Sequence, residues 1–187
     1  MKNSSAGRST LCVAFLRGIN VGGHKSIKME DLKRAFESLG FGKVATILAS
    51  GNVMFEASRA SSTGLVERIE EKLKDTFGHN IGVLVRTMKE LQQLEATNPF
   101  KGIKVTPQTR LYVTFLSENP RGSRPIPYES SDRNFKIRRV TGREICSALT
   151  LSPDSRTTEL MGVLEREFGP KITTRNWNTI TRILETS

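Results

Sequence analysis

Apolar and polar positions change period several times along this chain, and the changes mark out its elements. Leu11 to Leu16 is a short apolar run that predicts a buried strand. Over residues 29–39 the period lengthens to that of an amphipathic helix, with Leu32, Phe36 and Leu39 inward. Residues 44–49 and 52–56 predict strands that meet around Ser50 and Gly51. Helical spacing returns over 65–77, with Val66, Ile69, Leu73 and Phe77 on one face, and 81–86 predicts the next strand. The resulting order is β-α-β-β-α-β, which is ferredoxin-like. A short helix over Met88–Ala96 is stopped by Asn98 and Pro99.

The second half is less regular. Residues 110–116 alternate as a strand with Leu111, Val113 and Phe115 on one face. Pro120, Gly122, Pro125 and Pro127 make 119–127 a loop, and 135–140 with 143–149 flank Thr141 and Gly142 as a hairpin. A helix over Thr157–Phe168 closes at Gly169 and Pro170. The last helix is expected to start after Thr173 or Thr174, either of which can accept from free backbone donors, and to bury Trp177, Ile180 and Leu184. No internal sequence repeat is visible. The expectation is an α+β protein: a flexible polar tail over 1–9, a ferredoxin-like α+β subdomain over 10–98, a connector over 99–109, and a smaller second α+β subdomain over 110–187.

Chemistry concentrates in the stretch from Leu16 to Ser26. A glycine-rich turn between a strand and a helix lets backbone N–H groups converge on an anion, and the helix N-terminus adds partial positive charge. Arg17 and Lys25 place cations at its rim. Gly18 and Gly23 have the spacing of a phosphate loop, but His24 intrudes before Lys25 and Ser26, and no apolar strand ending in Asp follows to hold magnesium. The glycine spacing of a dinucleotide fingerprint is absent as well. Arg17, Gly18, Asn20, Gly22, Gly23 and Lys25 are therefore candidate ligand-binding residues without a nucleoside-triphosphatase signature.

Ser50 and Asn52, at the sharp junction of two strands, join that set, although Ser50-Gly51-Asn52 lacks the pattern of a nucleophile elbow. Arg175 and Asn176, at the expected start of the last helix, offer a second place where backbone donors and a cation meet an anion. Arg17, Asn20, Asn52, Arg175 and Asn176 are expected around one polar cleft, where they either contact a ligand or satisfy one another. His24 and His79 sit at no ligand spacing to Cys or to each other, so no metal site and no cofactor is expected, and no residue stands out as catalytic.

Three of these motifs carry a resemblance. Leu16-Arg17-Gly18-Ile19-Asn20-Val21-Gly22-Gly23, then Ser50-Gly51-Asn52-Val53, then Thr173-Thr174-Arg175-Asn176-Trp177-Asn178-Thr179 occur in this order, with Asn98-Pro99-Phe100 between the halves. Together they resemble the bacterial domain-of-unknown-function family 1697, from about Leu11 onward. His24 stands where family members often carry Lys. The resemblance implies a small, soluble α+β protein and brings no established activity.

Composition refines this picture. Hydrophobic residues make up 36% of the chain and aromatics 6%, so the core should be aliphatic. Cys12 and Cys146 lie in separate apolar runs and read as small buried thiols of a reducing compartment. The polar first ten residues lack a secretion signal, and no apolar run is long enough to span a bilayer, so a cytoplasmic protein without a membrane partner is expected. The formal charge of +10 favours polyanions. Basic residues cluster at Lys25, Lys28, Lys33 and Arg34 and on the expected hairpin, where Lys136 and Arg138 should face away from Phe135 and Ile137. Lys136, Arg138 and Arg139 are the candidate nucleic-acid contacts. The leading expectation is a binding protein for a phosphate-bearing small molecule or nucleic acid. A small-molecule enzyme using the same polar residues, and an interaction module whose motifs are structural ties, stand beside it.

Overall fold

A computed structural model describes residues 9–21, 26–58, 62–120, 128–130, 134–151 and 157–186. The expected tail over 1–8 lies outside them, while Ser9 already belongs to the first strand. The chain divides into two compact units, Met1–Glu90 and Leu91–Ser187. It is a mixed α+β protein with two antiparallel sheets.

In the first unit, β1 (Ser9–Leu16), α1 (Met29–Glu37), β2 (Gly42–Ile47), β3 (Asn52–Ser58), α2 (Ser62–Phe77) and β4 (Val83–Thr87) follow one another. The four strands share one antiparallel sheet in the order β2-β3-β1-β4. Alternation along β1 sends Cys12, Ala14 and Leu16 to one face, where they pack with Leu32 and Phe36 of α1 and Leu65, Ile69 and Leu73 of α2. Phe36, Phe41 and Phe55 form an aromatic contact within this core. The other face of the sheet is buried too, with Val13, Phe15, Asn52 and Arg86 on it. Helix α2 turns Leu65 inward and leaves Val66 half-buried, a small rotation of the expected stripe.

Helix α3 (Met88–Ala96) crosses the division between the units. The second unit continues with β5 (Thr109–Leu116), β6 (Tyr128–Glu129), β7 (Phe135–Thr141), β8 (Glu144–Thr150), α4 (Thr157–Phe168), β9 (Ile172–Asn176) and α5 (Trp177–Glu185). Its sheet runs β6-β7-β8-β5-β9, again antiparallel. Leu116, Ile137, Ile145, Leu149 and Ile172 pack against Leu160 and Leu164 of α4.

One expectation is corrected at the C-terminus. The last helix does not start after Thr173 or Thr174, because residues 172–176 form β9, whose hydrogen bonds come from β5. Helix α5 starts at Trp177 and is capped by the Asn176 side chain, which accepts from the Asn178 N–H at 2.9 Å. It buries Thr179, Ile180 and Ile183, while Trp177 is half-buried edge-on to Phe100 at 5.2 Å.

The two sheets repeat one plan that the sequence conceals. A first strand, a hairpin, a helix and a last strand give β2-β3-β1-β4 in one unit and β7-β8-β5-β9 in the other. The ends correspond in detail. Leu16 pairs with Val83 and donates to the hairpin-turn carbonyl of Gly51 at 2.9 Å. Leu116 pairs with Ile172 and donates to the hairpin-turn carbonyl of Arg143 at 2.8 Å. The last strands correspond as well: Arg86 stands opposite Val13 and Arg175 opposite Val113, each one residue from the strand's end and followed directly by a helix.

Candidate functional site

The glycine loop leaves the end of β1, and its first residues are fixed by backbone. Arg17 donates its N–H to Gly82 O at 2.9 Å. Its side chain lies across Gly82, where a Cβ would come within 3.2 Å of Arg17 Cδ, so Gly82 keeps the path of that stem open. Arg17 is half-buried, and its guanidinium has no hydrogen bond or ion pair among the described residues. Gly18 follows, exposed and with φ +61°. Gly22, Gly23 and Lys25, with His24, lie outside the described residues.

Asn20 is a tie. Its Nδ2 donates to Ile27 O at 3.1 Å and to Ala49 O at 2.8 Å, and its Oδ1 accepts from the Ile27 N–H at 2.8 Å. One side chain thus closes the loop on itself and fastens it to the β2–β3 turn, with φ 55° that Asn tolerates better than most residues. Asn52 is also a tie, completely buried, with Nδ2 donating to Ile47 O at 2.8 Å and Ser50 Oγ at 3.0 Å. Between them Gly51 has φ +77°, and a Cβ there would fall 2.6 Å from Ile19 Cδ1. No other residue fits.

The start of α1 contributes less to an anion site than its dipole suggests. Glu30 and Asp31 occupy its first turn, and Lys28 at the N-cap position makes no side-chain capping bond. Asp31 also accepts from Arg34.

On the hairpin, the expected alternation fails at Arg138, where the register slips between Ile137 and Arg139. The extra residue moves Arg139 off the face of Ile137 to stand opposite Cys146 and turns Val140 onto the α4 core. Arg138 and Arg139 are both exposed. Arg139 donates to Thr141 Oγ1 at 2.9 Å, and Lys136 is paired with Glu129 at 2.9 Å.

Arg175 belongs to a strand. It is buried, donating from Nη1 to Thr173 Oγ1 at 2.8 Å and to Thr174 O at 3.0 Å, and burial lowers its pKa to about 10. Arg17, Asn20, Ser50 and Asn52 fall in the first unit, Arg175 and Asn176 in the second.

Sequence reasoning missed Arg86, which is 1% exposed and donates from Nη1 to Val85 O at 2.9 Å. With Glu70, which accepts from the Val83 N–H at 2.8 Å, and Glu90, which accepts from the Thr87 N–H at 2.7 Å, it occupies the outward edge of β4. A signal existed: Arg86-Thr87 before α3 parallels Arg175-Asn176 before α5. The thiols are poorly ionised, with Cys12 pushed up to about 11 and Cys146 to about 12, mainly by burial. Among the described residues, no group of three His, Cys, Asp or Glu side chains can hold a metal ion, and no helix is long and apolar enough to cross a membrane.

The fold and its glycine corner thus define a class, an α+β chain of two antiparallel sheets with motif residues at the end of the first strand. A family model described as "Protein of unknown function (DUF1697)" matches residues 10–145, and the chain belongs to that family. No curated protein matches it. A solved structure described as the conserved bacterial protein SP0830 from Streptococcus pneumoniae is similar, with a TM-score of 0.71 and 21% identity over 95% of this chain and 98% of that one. At that identity the likeness concerns the fold.

Proposed function

We propose that this protein binds a phosphate-bearing small molecule at the end of β1, with Arg17 as the cation that meets the phosphate. The observation that carries this reading is the guanidinium of the half-buried Arg17, which has no hydrogen bond or ion pair among the described residues although its stem is held across Gly82. A guanidinium fork with an exposed glycine backbone beside it suits bidentate contact with phosphate oxygens. Asn20, Ser50 and Asn52 hold the corner in shape, and Gly51 lets the turn approach Ile19. The chain order and the strand order β2-β3-β1-β4 support a ferredoxin-like first unit. A cytoplasmic setting, and subdomains over 10–98 and 110–187 around a connector at 99–109, belong to the same proposal.

Calorimetric titration with inorganic phosphate, a sugar phosphate and a nucleoside monophosphate tests it. At least one should bind, and Arg17→Ala should abolish the heat while leaving the thermal midpoint nearly unchanged. Absence of binding by all three, or binding that survives Arg17→Ala, overturns the proposal.

Association with nucleic acid has one specific observation in its favour, the bulged and exposed Arg138. If that surface meets a phosphate backbone, gel-shift affinity falls steeply with salt and Arg138→Glu reduces the slope. Lys136 and Arg139 already have partners, so their substitution should matter less.

A further inference from the structure

Among the described residues, large apolar side chains are exposed at Val21, Leu48 and Val105, and two of these flank a single hydrogen bond. Asn20 Nδ2 donates to Ala49 O at 2.8 Å, so Val21 follows the donor residue and Leu48 precedes the acceptor. Leu48 is 41% exposed and has φ 60°, a left-handed conformation that suits Gly or Asn better than a bulky apolar residue. Neither burial nor backbone preference therefore accounts for a leucine there. Val21, 68% exposed, takes no part in the core of its unit either. Isolated exposed apolar residues are ordinary, but two held to one tie ask for an explanation.

The loop that carries Val21 also carries Arg17. It starts at Arg17, whose stem lies across Gly82 just before β4, and reaches the β2–β3 turn at Asn20. In the order β2-β3-β1-β4 these contacts lie on opposite sides of β1, so the cation and the apolar pair stand at the two ends of the loop. Three residue steps from Arg17 to Asn20 span at most about 10 Å. The exposed Gly18 lies between them and has no side chain to hold a ligand off the backbone.

We propose that the ligand of the Arg17 site is a phosphate monoester with an apolar body, laid along this loop so that its phosphate meets Arg17 and its body covers Val21 and Leu48. The inference rests on the phosphate reading of Arg17 and narrows it. A polyol phosphate is the wrong occupant, since its hydroxyls would give up water against side chains that return no hydrogen bond. An aliphatic or aromatic body instead removes apolar surface from water on both partners.

Calorimetric titration of the full chain with inorganic phosphate, glycerol phosphate and naphthyl phosphate tests it. Naphthyl phosphate should bind about tenfold or more tighter than glycerol phosphate. Val21→Thr paired with Leu48→Asn keeps the branching at one position and suits the backbone at the other, so the thermal midpoint should not fall. The pair should remove the advantage of naphthyl phosphate and leave glycerol phosphate unchanged. Equal affinity of the two esters, or an advantage that survives the paired change, overturns the inference; if either ester then still loses its binding on Arg17→Ala, the phosphate reading stands. Absence of binding by all three probes overturns both.

Discussion

At the residue scale, polar side chains beside tight turns divide into ties and free groups, and the division follows from where their partners lie. The sequence expectation grouped Arg17, Asn20, Asn52, Arg175 and Asn176 as strong hydrogen-bonding groups around one cleft; of these, Arg17, Asn20 and Asn52 stand at one end of the first sheet, while Arg175 and Asn176 belong to the second unit. It left open which were ties, because Asn20 bonds a carbonyl 29 residues away, which only the folded hairpin brings near. Asn52→Ala should lower unfolding free energy by about 1–3 kcal/mol in urea titrations, since the buried Ile47 carbonyl loses its donor, and Asn20→Ala by about 1 kcal/mol, since its partners are only partly buried or exposed. Asn52→Asp should be at least as damaging as Asn52→Ala, because a carboxylate cannot donate to Ile47 O. Little loss in either variant would mean that Asn52 is no tie. Ser147 predicts the opposite sign. Its hydroxyl is fully buried with no hydrogen-bond partner among the described residues, so Ser147→Ala should be neutral or stabilising by about 1 kcal/mol.

At the scale of elements, periodicity found the segments because each sheet packs one face on helices. Helices α3 and α4 run over the residues their spacing predicts. What periodicity could not resolve was β9 and the bulge in β7. Ile172 to Asn176 is rich in Thr, whose hydroxyls imitate a helix cap, yet these residues are held by β5, and Thr114 with Thr174 meet at 2.8 Å across 60 residues of chain. Long-range pairing overrode a local signal. The bulge at Arg138 likewise depends on register with β8 and leaves no mark on local composition. If Asn176 is the true cap, Asn176→Ala should cost about 1 kcal/mol while Asn176→Asp, which keeps the acceptor, should cost little. The same loss should follow Thr87→Ala, where Thr87 accepts from the Glu90 N–H at 3.2 Å and Glu90 reaches back to the Thr87 N–H. Equal stability of the Ala and Asp variants at residue 176 would show that the cap contributes nothing.

At the scale of the whole molecule, one plan of sheet and helix is used twice under sequences that no repeat connects, because each unit requires only apolar residues at matching pleats. The buried arginines are the exception, and one of them, Arg175, makes the response to alkali a sum of opposing effects. An unfolded thiol ionises near pH 9.0, whereas burial pushes Cys12 up to about 11 and Cys146 up to about 12. The folded chain therefore keeps protons that the unfolded chain gives up; this stabilisation is complete below about pH 9 and is lost as pH rises through about 11 to 12. Arg175 acts in reverse. Burial lowers it from 12.5 to about 10, so holding its charge costs stability below about pH 10, and that cost falls as pH rises toward 12.5. Stability should thus begin to fall just above about pH 9, where only the thiols respond, and fall less steeply above about pH 10. The single tryptophan, Trp177, lies in the second unit with Cys146 and Arg175, so its fluorescence in urea titrations reads that balance directly. Cys146→Ala should reduce stability at neutral pH by leaving a small cavity, yet lose less between about pH 9 and 10 than the unmodified chain does. Parallel decline of the two proteins across that window would mean that Cys146 ionises as readily in the folded state as in the unfolded one.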